Sequence, residues 1–389
     1  MKVSLRKAIG ILAAAIMLFS MIVTAGCGGQ EAAKAPAEEK GPVKIAVIVT
    51  SLTGPLTKNG EYITNAVKMA LEEVNSSGGV KGRKLEAVFL DDQVKSSEAI
   101  NAVKKAVDDL KVPVILGSDS SGLVLASMPF AAKEGVPQVV SATNVRITRQ
   151  NVPTIFRMRA DDAVAAKILA DYVTGKGFKK VGIMYTNEDY GKGFMEEIQK
   201  NLQAQKNGAI GLETCNIGDT DFTAQILSLK NKGVDTVLAL GKEIETAKFL
   251  RQSKELGLKV QMFGGSPLGL DYVVELAGGA MEGVKIVTHF LPSDPDPKVQ
   301  EWVNKYKKLY KNEEPETHVA CYYDAVKMVA DIMNKNGTTK EAITKGLKEV
   351  NYVGIQSAYK GSASGDLVTK QVVGDFKNGV WTVTDSLGK

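Results

Sequence analysis

The feature that most constrains the fold is an alternation of short β-rich runs with amphipathic stretches, which runs along the chain and then starts again. From Val43, strands are predicted at Val43–Val49, Lys84–Leu90, Val112–Gly117 and Pro137–Ser141, with helices at Gly60–Asn75, Ser96–Leu110 and Ser121–Glu134 between them. In the first helix Ile63, Val67, Ala70, Leu71 and Val74 recur at the spacing of one buried face. After Arg157 the pattern returns. Strands are expected at Lys180–Tyr185, Ile210–Cys215, Val234–Leu240 and Val260–Phe263, and helices at Gly191–Gln205, Phe222–Asn231 and Glu243–Leu256. Alternation of this kind produces parallel strands joined by right-handed crossovers, with helices on both faces. The two openings, Lys44–Thr50 (KIAVIVT) and Lys180–Thr186 (KVGIMYT), resemble each other, so two similar doubly wound α/β lobes are predicted. Open sheets of this type bind ligands beyond the carboxyl ends of their strands, and two facing sheets would enclose one cleft.

The last third reads differently. Lys298–Tyr310, His318–Asn334 and Lys340–Glu349 have helical patterns, and Gln371–Phe376 with Trp381–Thr384 reads as a hairpin turning at Lys377-Asn378-Gly379. Late helices followed by late strands imply that the chain crosses back between the lobes. The predicted division is 43–158 plus 288–350 for lobe 1 and 159–287 plus 351–389 for lobe 2, with crossovers near Met158–Ala160, Lys285–His289 and Val350–Val353.

The start of the chain speaks about location. Lys2, Arg6 and Lys7 precede the apolar run Ala8–Val23, and the small residues Ala25 and Gly26 precede Cys27. This is the pattern of an exported lipoprotein, with residues 1–26 a signal peptide and Cys27 the lipidated residue, although Thr24 stands where an aliphatic side chain is usual. Residues 27–42, rich in Ala, Glu, Gly and Pro, read as a flexible tether. The body is then expected outside the cytoplasmic membrane, where there is neither nucleic acid nor an ATP pool. The net charge of +5 includes the three leader cations, and the remaining lysines are scattered over helix faces rather than gathered in a nucleic-acid stripe. Cys215 and Cys321 are expected to be unpaired core residues.

Several segments, in order along the chain, are similar to the leucine/isoleucine/valine-binding family of ABC-transporter solute receptors, which have the type I periplasmic binding fold. They include Ser51-Leu52-Thr53-Gly54-Pro55-Leu56, Glu72 to Val80, Gly117-Ser118-Asp119-Ser120-Ser121, Ser141-Ala142-Thr143-Asn144 and Phe156-Arg157. Asp189-Tyr190-Gly191, Asp221-Phe222, Phe249–Leu258 and Tyr323-Asp324-Ala325-Val326 continue the series. No one motif is strong, but nine in register over the whole body are specific.

The residues themselves point to a carboxylate clamp on the first lobe. Gly117–Ser121 lies between a strand end and a helix start, where free N–H groups and the helix dipole suit an anion. Ser120 or Ser121 can add a hydroxyl, and so can Thr143 after the next strand. Helix capping by either serine is an alternative use of the same side chain. The resemblance implies that Ala142 offers its carbonyl, that Tyr190 closes over the ligand from the second lobe, and that Leu56 lies near the ligand side chain. Members that bind α-amino acids hold the ammonium with an acid after the strand ending Phe263-Gly264-Gly265, but here that position is Ser266. An aromatic after Leu240-Gly241 is replaced by Lys242-Glu243. Glu243 or Glu245 can supply the missing carboxylate; equally, Lys242 can grip a second anionic group.

The expectation is therefore a solute-binding component of an ABC importer that takes a branched-chain or other apolar amino acid, with aromatic and 2-oxo carboxylic acids as the alternative. No cofactor or metal is expected, the partner is a membrane permease, and the protein is expected to be monomeric. Enzymatic motifs fail in detail. His289 and His318 have no metal-ligand spacing, GSDSSG (117–122) is not Gly-x-Ser-x-Gly, and Glu196 stands where a dinucleotide loop beginning at Gly191 needs its third glycine. A sensory module on the same fold would need an output region, so a chain ending at Lys389 would have to act on a separate receptor.

Overall fold

The computed structural model describes residues 41–53, 56–368 and 370–387. Cys27 and nearly all of the proposed leader and tether lie outside the described residues. The first half runs β1 (Val43–Val49), α1 (Thr57–Ser76), β2 (Leu85–Asp91), α2 (Ser96–Lys104), β3 (Ile115–Leu116), α3 (Ser121–Lys133), β4 (Gln138–Val140), α4 (Arg146–Arg149) and β5 (Ile155–Arg157). These strands form one parallel sheet in the order β2-β1-β3-β4-β5. Strand β1 shows why it lies inside. Ile45, Val47 and Val49 point into one core, while Ala46 and Ile48 point into another on the opposite face. A strand apolar on both sides is stable only when both faces are covered.

The second half continues with α5 (Asp162–Gly175), β6 (Val181–Thr186), α6 (Asp189–Ala204), β7 (Ala209–Cys215), α7 (Thr223–Asn231), β8 (Thr236–Leu240), α8 (Glu243–Glu255), β9 (Gln261–Gly264), α9 (Asp271–Ala277) and β10 (Lys285–Thr288). Then follow α10 (Pro297–Leu309), α11 (Thr317–Asn336), α12 (Lys340–Lys348), β11 (Asn351–Val353), β12 (Ala358–Lys360), β13 (Gln371–Lys377) and β14 (Val380–Leu387). The second sheet has the order β14-β13-β10-β9-β8-β6-β7, parallel except at β13 and β14. The β13–β14 hairpin turns on Asn378 (φ 51°) and Gly379 (φ 81°), the left-handed pair that a two-residue turn needs.

Several elements depart from the sequence expectation, and three of the departures bear on the lobes and the site. Helix α5 was not foreseen, yet its signals are plain. Asp161 caps it by accepting from the Val164 N–H at 3.1 Å, and Ala165, Ala166, Leu169, Ala170 and Val173 make its buried stripe. Residues 285–288, expected to be a crossover, form strand β10. The third crossing also moves. Val350–Val353 was expected to lead into lobe 2, but Val350, Ile355, Tyr359, Leu367 and Val368 bury in the first core, packed with α1 and α11. Asp324 of α11 holds the intervening turn by accepting from Ile355 N (2.7 Å), Gln356 N (2.8 Å) and the Tyr359 hydroxyl (2.8 Å). The chain returns to the second sheet only between Val368 and Gln371, so residues 351–368 go with the first half. Cys215 and Cys321 are both free and buried, in different cores.

Candidate functional site

One pocket gathers residues that follow the carboxyl ends of successive strands. Asp119 and Ser121 follow β3, Thr143 follows β4, and Arg159 and Asp162 follow β5. From the other sheet come Tyr190 after β6, Lys242 and Glu243 after β8, Ser266 after β9 and His289 after β10. His318 joins them from the first turn of α11. This convergence is the direct consequence of parallel strand direction in both sheets.

On the first side, Ser121 opens α3 and its Oγ accepts from the Asn144 N–H at 3.2 Å, which leaves the hydroxyl proton free to donate. Burial pushes the Asp162 carboxyl up to about 7, and its Oδ2 has no partner among the described residues. Asp119 accepts from Thr50 Oγ1 and lies 3.5 Å from His318 Nε2. His318 Nδ1 donates to Glu316 Oε2 at 2.8 Å; burial opposes its charge, but the Glu316 carboxylate outweighs this and holds the imidazole above its ordinary pKa.

On the second side, Glu188 caps α6 by accepting from the Tyr190 and Gly191 N–H groups, both at 2.8 Å, which places Tyr190 at the helix start. The ring packs on Phe194 at 5.8 Å, and its hydroxyl occupies space that a side chain at Gly265 would fill. Lys242 Nζ lies 5.8 Å from the centre of the Tyr190 ring. Burial works against that ammonium, yet Glu243 and more distant carboxylates hold its pKa above the usual lysine value. Glu243 is buried; Oε1 accepts from Asn59 Nδ2 at 3.5 Å, and Oε2 has no partner among the described residues. Ser266 shares a hydrogen bond with His289 Nδ1 (3.2 Å), which also accepts from Arg159 Nε at 3.0 Å. Arg159 has no carboxylate within ion-pair distance among the described residues.

The arrangement can hold a small charged solute by hydrogen bonds and ion pairs from two sheets. The family described as "Periplasmic binding protein" matches residues 42–374. The chain belongs to the periplasmic binding protein family. It is 30% identical to the leucine-, isoleucine-, valine-, threonine- and alanine-binding protein of Pseudomonas aeruginosa over 298 residues, 76% of this chain and 79% of that one. Its fold matches the leucine-binding protein LivK of Thermotoga maritima with a TM-score of 0.82 and 28% identity, covering 89% of this chain and 99% of the other. The branched-chain amino acid transporter substrate-binding protein LivJ of Streptococcus pneumoniae, in complex with isoleucine, gives 0.81 and 26%, with 90% and 99% covered.

Within this periplasmic binding protein, Ser121, Thr143, Tyr190, Glu243 and Ser266 border the common pocket. Ser120, Ala142 and Leu56 are not among its lining residues. The Ser120 N–H donates to Ser118 Oγ at 3.2 Å, and its side chain makes no capping bond to α3. Ala142 is buried in the small core beneath β4, and the Leu56 carbonyl accepts from the Asn59 N–H at 3.0 Å at the start of α1. Glu245, the alternative carboxylate, instead accepts from the Gly218 N–H at 2.8 Å. Sequence reading missed Arg159, Asp162, His289 and His318. The first three stand one to five residues past strand ends, the same signal that revealed Ser121 and Thr143, but the segments of Arg159 and His289 are read as hinge and Asp162 lies on the unforeseen α5.

Proposed function

We propose that this protein is the extracytoplasmic solute-binding component of an ABC importer and captures an α-amino acid, branched-chain or otherwise apolar, without altering it chemically. The observation that carries the ligand class is the unpartnered Oε2 of Glu243, buried in the same pocket as the Ser121 and Thr143 hydroxyls. A buried carboxylate oxygen without a partner is unfavourable, and a ligand ammonium relieves it. A zwitterion sets its carboxylate on the hydroxyl wall, its ammonium on Glu243, and its side chain against Tyr190, Phe194, Ala165 and Val287. The names of the relatives support the same class. The Pseudomonas protein is named for leucine, isoleucine, valine, threonine and alanine, and the Streptococcus protein holds isoleucine.

Ligand docks on the wall formed by Ser121 and Thr143, and rotation of the second lobe about the crossing segments brings Tyr190 and Glu243 onto it. The lobes divide as 43–158 plus 288–368 and 159–287 plus 371–387. The body is monomeric and tethered through a lipid at Cys27, and the closed form docks on a permease. A second reading, an aromatic or 2-oxo acid without an ammonium, has one observation in its favour: Arg159, which has no carboxylate partner among the described residues, stands beside the Ser266 corner where the family's ammonium-binding acid is expected.

Calorimetry with L-amino acids, their desamino counterparts, 2-oxo acids and benzoate decides between the two readings. Apolar amino acids are expected to bind most tightly, and Thr143→Val is expected to weaken them by at least ~1 kcal/mol, because a buried polar partner is left unmatched. Tightest binding of acids without an ammonium would favour the second reading, and an unchanged affinity in Thr143→Val would remove that residue from the site.

A further inference from the structure

The side chain that governs Glu243 does not border the pocket. Asn59 lies in the first turn of α1, 1% exposed, on the helix that covers the first sheet. Its Nδ2 reaches Glu243 Oε1 at 3.5 Å, and its Oδ1 accepts from the Tyr272 hydroxyl at 3.1 Å. Glu243 opens α8 and Tyr272 lies in α9, both covering the second sheet. The direction of the chain follows from chemistry. An ionised carboxylate only accepts, so the amide must turn its NH₂ toward Glu243, and its oxygen is then free to accept from the phenol.

We propose that Asn59 is a positioning residue that makes ammonium recognition depend on contact between the two halves. By occupying Oε1 it fixes the Glu243 rotamer and leaves Oε2 as the one oxygen of this carboxylate without a partner among the described residues. Because its two partners come from the opposite half, the acceptor is set only when the halves meet. Lys242 lies over the Tyr190 ring, beyond ion-pair distance of Glu243, although the Glu243 charge still raises its pKa. An aspartate at position 59 would turn a donor into a second acceptor and repel Glu243. A leucine would fill the space and offer nothing.

This inference rests on Glu243 being the ammonium acceptor, and the test separates the two. Calorimetry measures L-leucine and 4-methylpentanoate, which differ only in the amino group, on the wild type, Asn59→Leu, Asn59→Asp, Tyr272→Phe and Glu243→Gln. The readout is the ratio of the two affinities, which a general loss of folding or packing leaves unchanged. Wild type is expected to prefer leucine, and Glu243→Gln to lose most of that preference. Asn59→Leu is expected to lower it about tenfold and Asn59→Asp further, in keeping with loss of a hydrogen bond to a charged group. Tyr272→Phe, the mildest change, is expected to lower it by about threefold, the loss of a neutral hydrogen bond. A wild type with no preference for leucine, or one whose preference survives Glu243→Gln, overturns the reading of Glu243 and this inference with it. A preference lost in Glu243→Gln but intact in the Asn59 and Tyr272 variants overturns the inference alone.

Discussion

His289 shows how much one side chain can decide. Its Nδ1 accepts from Arg159, and its Nε2 lies 3.0 Å from the Ala160 carbonyl and 3.1 Å from Gln371 Nε2. Those partners belong to the first and third crossings, and His289 itself begins the second, so one imidazole ties all three together next to Ser266. Burial, reinforced by the Arg159 charge, pushes its pKa well below the ordinary value. The folded protein therefore refuses a proton that the unfolded chain accepts near pH 6.5. The resulting stability is present above that pH and declines as pH falls below it. Urea denaturation at pH 7.5, 6.5 and 5.5 is expected to show His289→Gln losing less stability on acidification than wild type, by up to about 1.4 kcal/mol per pH unit below 6.5. Parallel pH profiles would contradict a neutral buried imidazole. His318, whose shift has the opposite sign, is present in both proteins and drops out of the comparison. The sequence contains only these two histidines, and both border the pocket. Spacing could test them as metal ligands, but it could not reveal that segments 129 residues apart would meet.

At the scale of elements, strands and helices with strong periodicity were legible to within a few residues, β1 and the β13–β14 hairpin among them. Short elements were not. Strand β10 has only four residues and its register is set by β9 and β13 on either side, so nothing local marks it. The β11–β12 hairpin is equally short and depends on a tertiary anchor, the buried Asp324 carboxylate, which burial raises to about 6 despite its hydrogen bonds. Asp324→Ala leaves two backbone N–H groups and a phenol without an acceptor. It is expected to destabilise the protein by about 3 kcal/mol or more in urea denaturation, since each of the three unmatched buried donors costs about 1–3 kcal/mol. Leucine affinity of the folded fraction should be unchanged, because none of these groups reaches the pocket.

For the whole molecule the deciding question is how closely the halves approach. Arg146 of α4 pairs with Asp189 of α6 at 3.0 Å, and Arg149 with Glu197 at 2.9 Å. Both arginines are more than half exposed, so each pair is worth ~1 kcal/mol or less and weakens with salt. Two glycines matter more. Gly193 leaves room for the Asn144 amide, which donates to the Asp189 carbonyl at 2.5 Å, and a side chain at Gly122 would meet Asp189 Oδ2 at 3.0 Å. Gly193→Ala is expected to oppose closure by about 1–3 kcal/mol of overpacking. Small-angle scattering should then show less compaction on adding ligand, and every ligand should weaken by a similar factor. Wild-type compaction in the alanine variant would show that the halves do not close along this face.

Apolar periodicity alone determined the class of the fold, because parallel strands covered on both faces need continuous hydrophobic runs and amphipathic helices whatever their partners. Strand direction then told which loop ends could meet a ligand, and so Ser121 and Thr143 could be named from their positions, while Tyr190 came from the family resemblance. Only the tertiary structure decided that Asp162 and Glu243 each keep an unpartnered oxygen in the pocket among the described residues, that Arg159 and His289 share the Ser266 corner, and that residues 351–368 return to the first core. Those outcomes depend on distances between segments far apart in the chain, and they are set by how two separately folded cores pack. No local pattern encodes that.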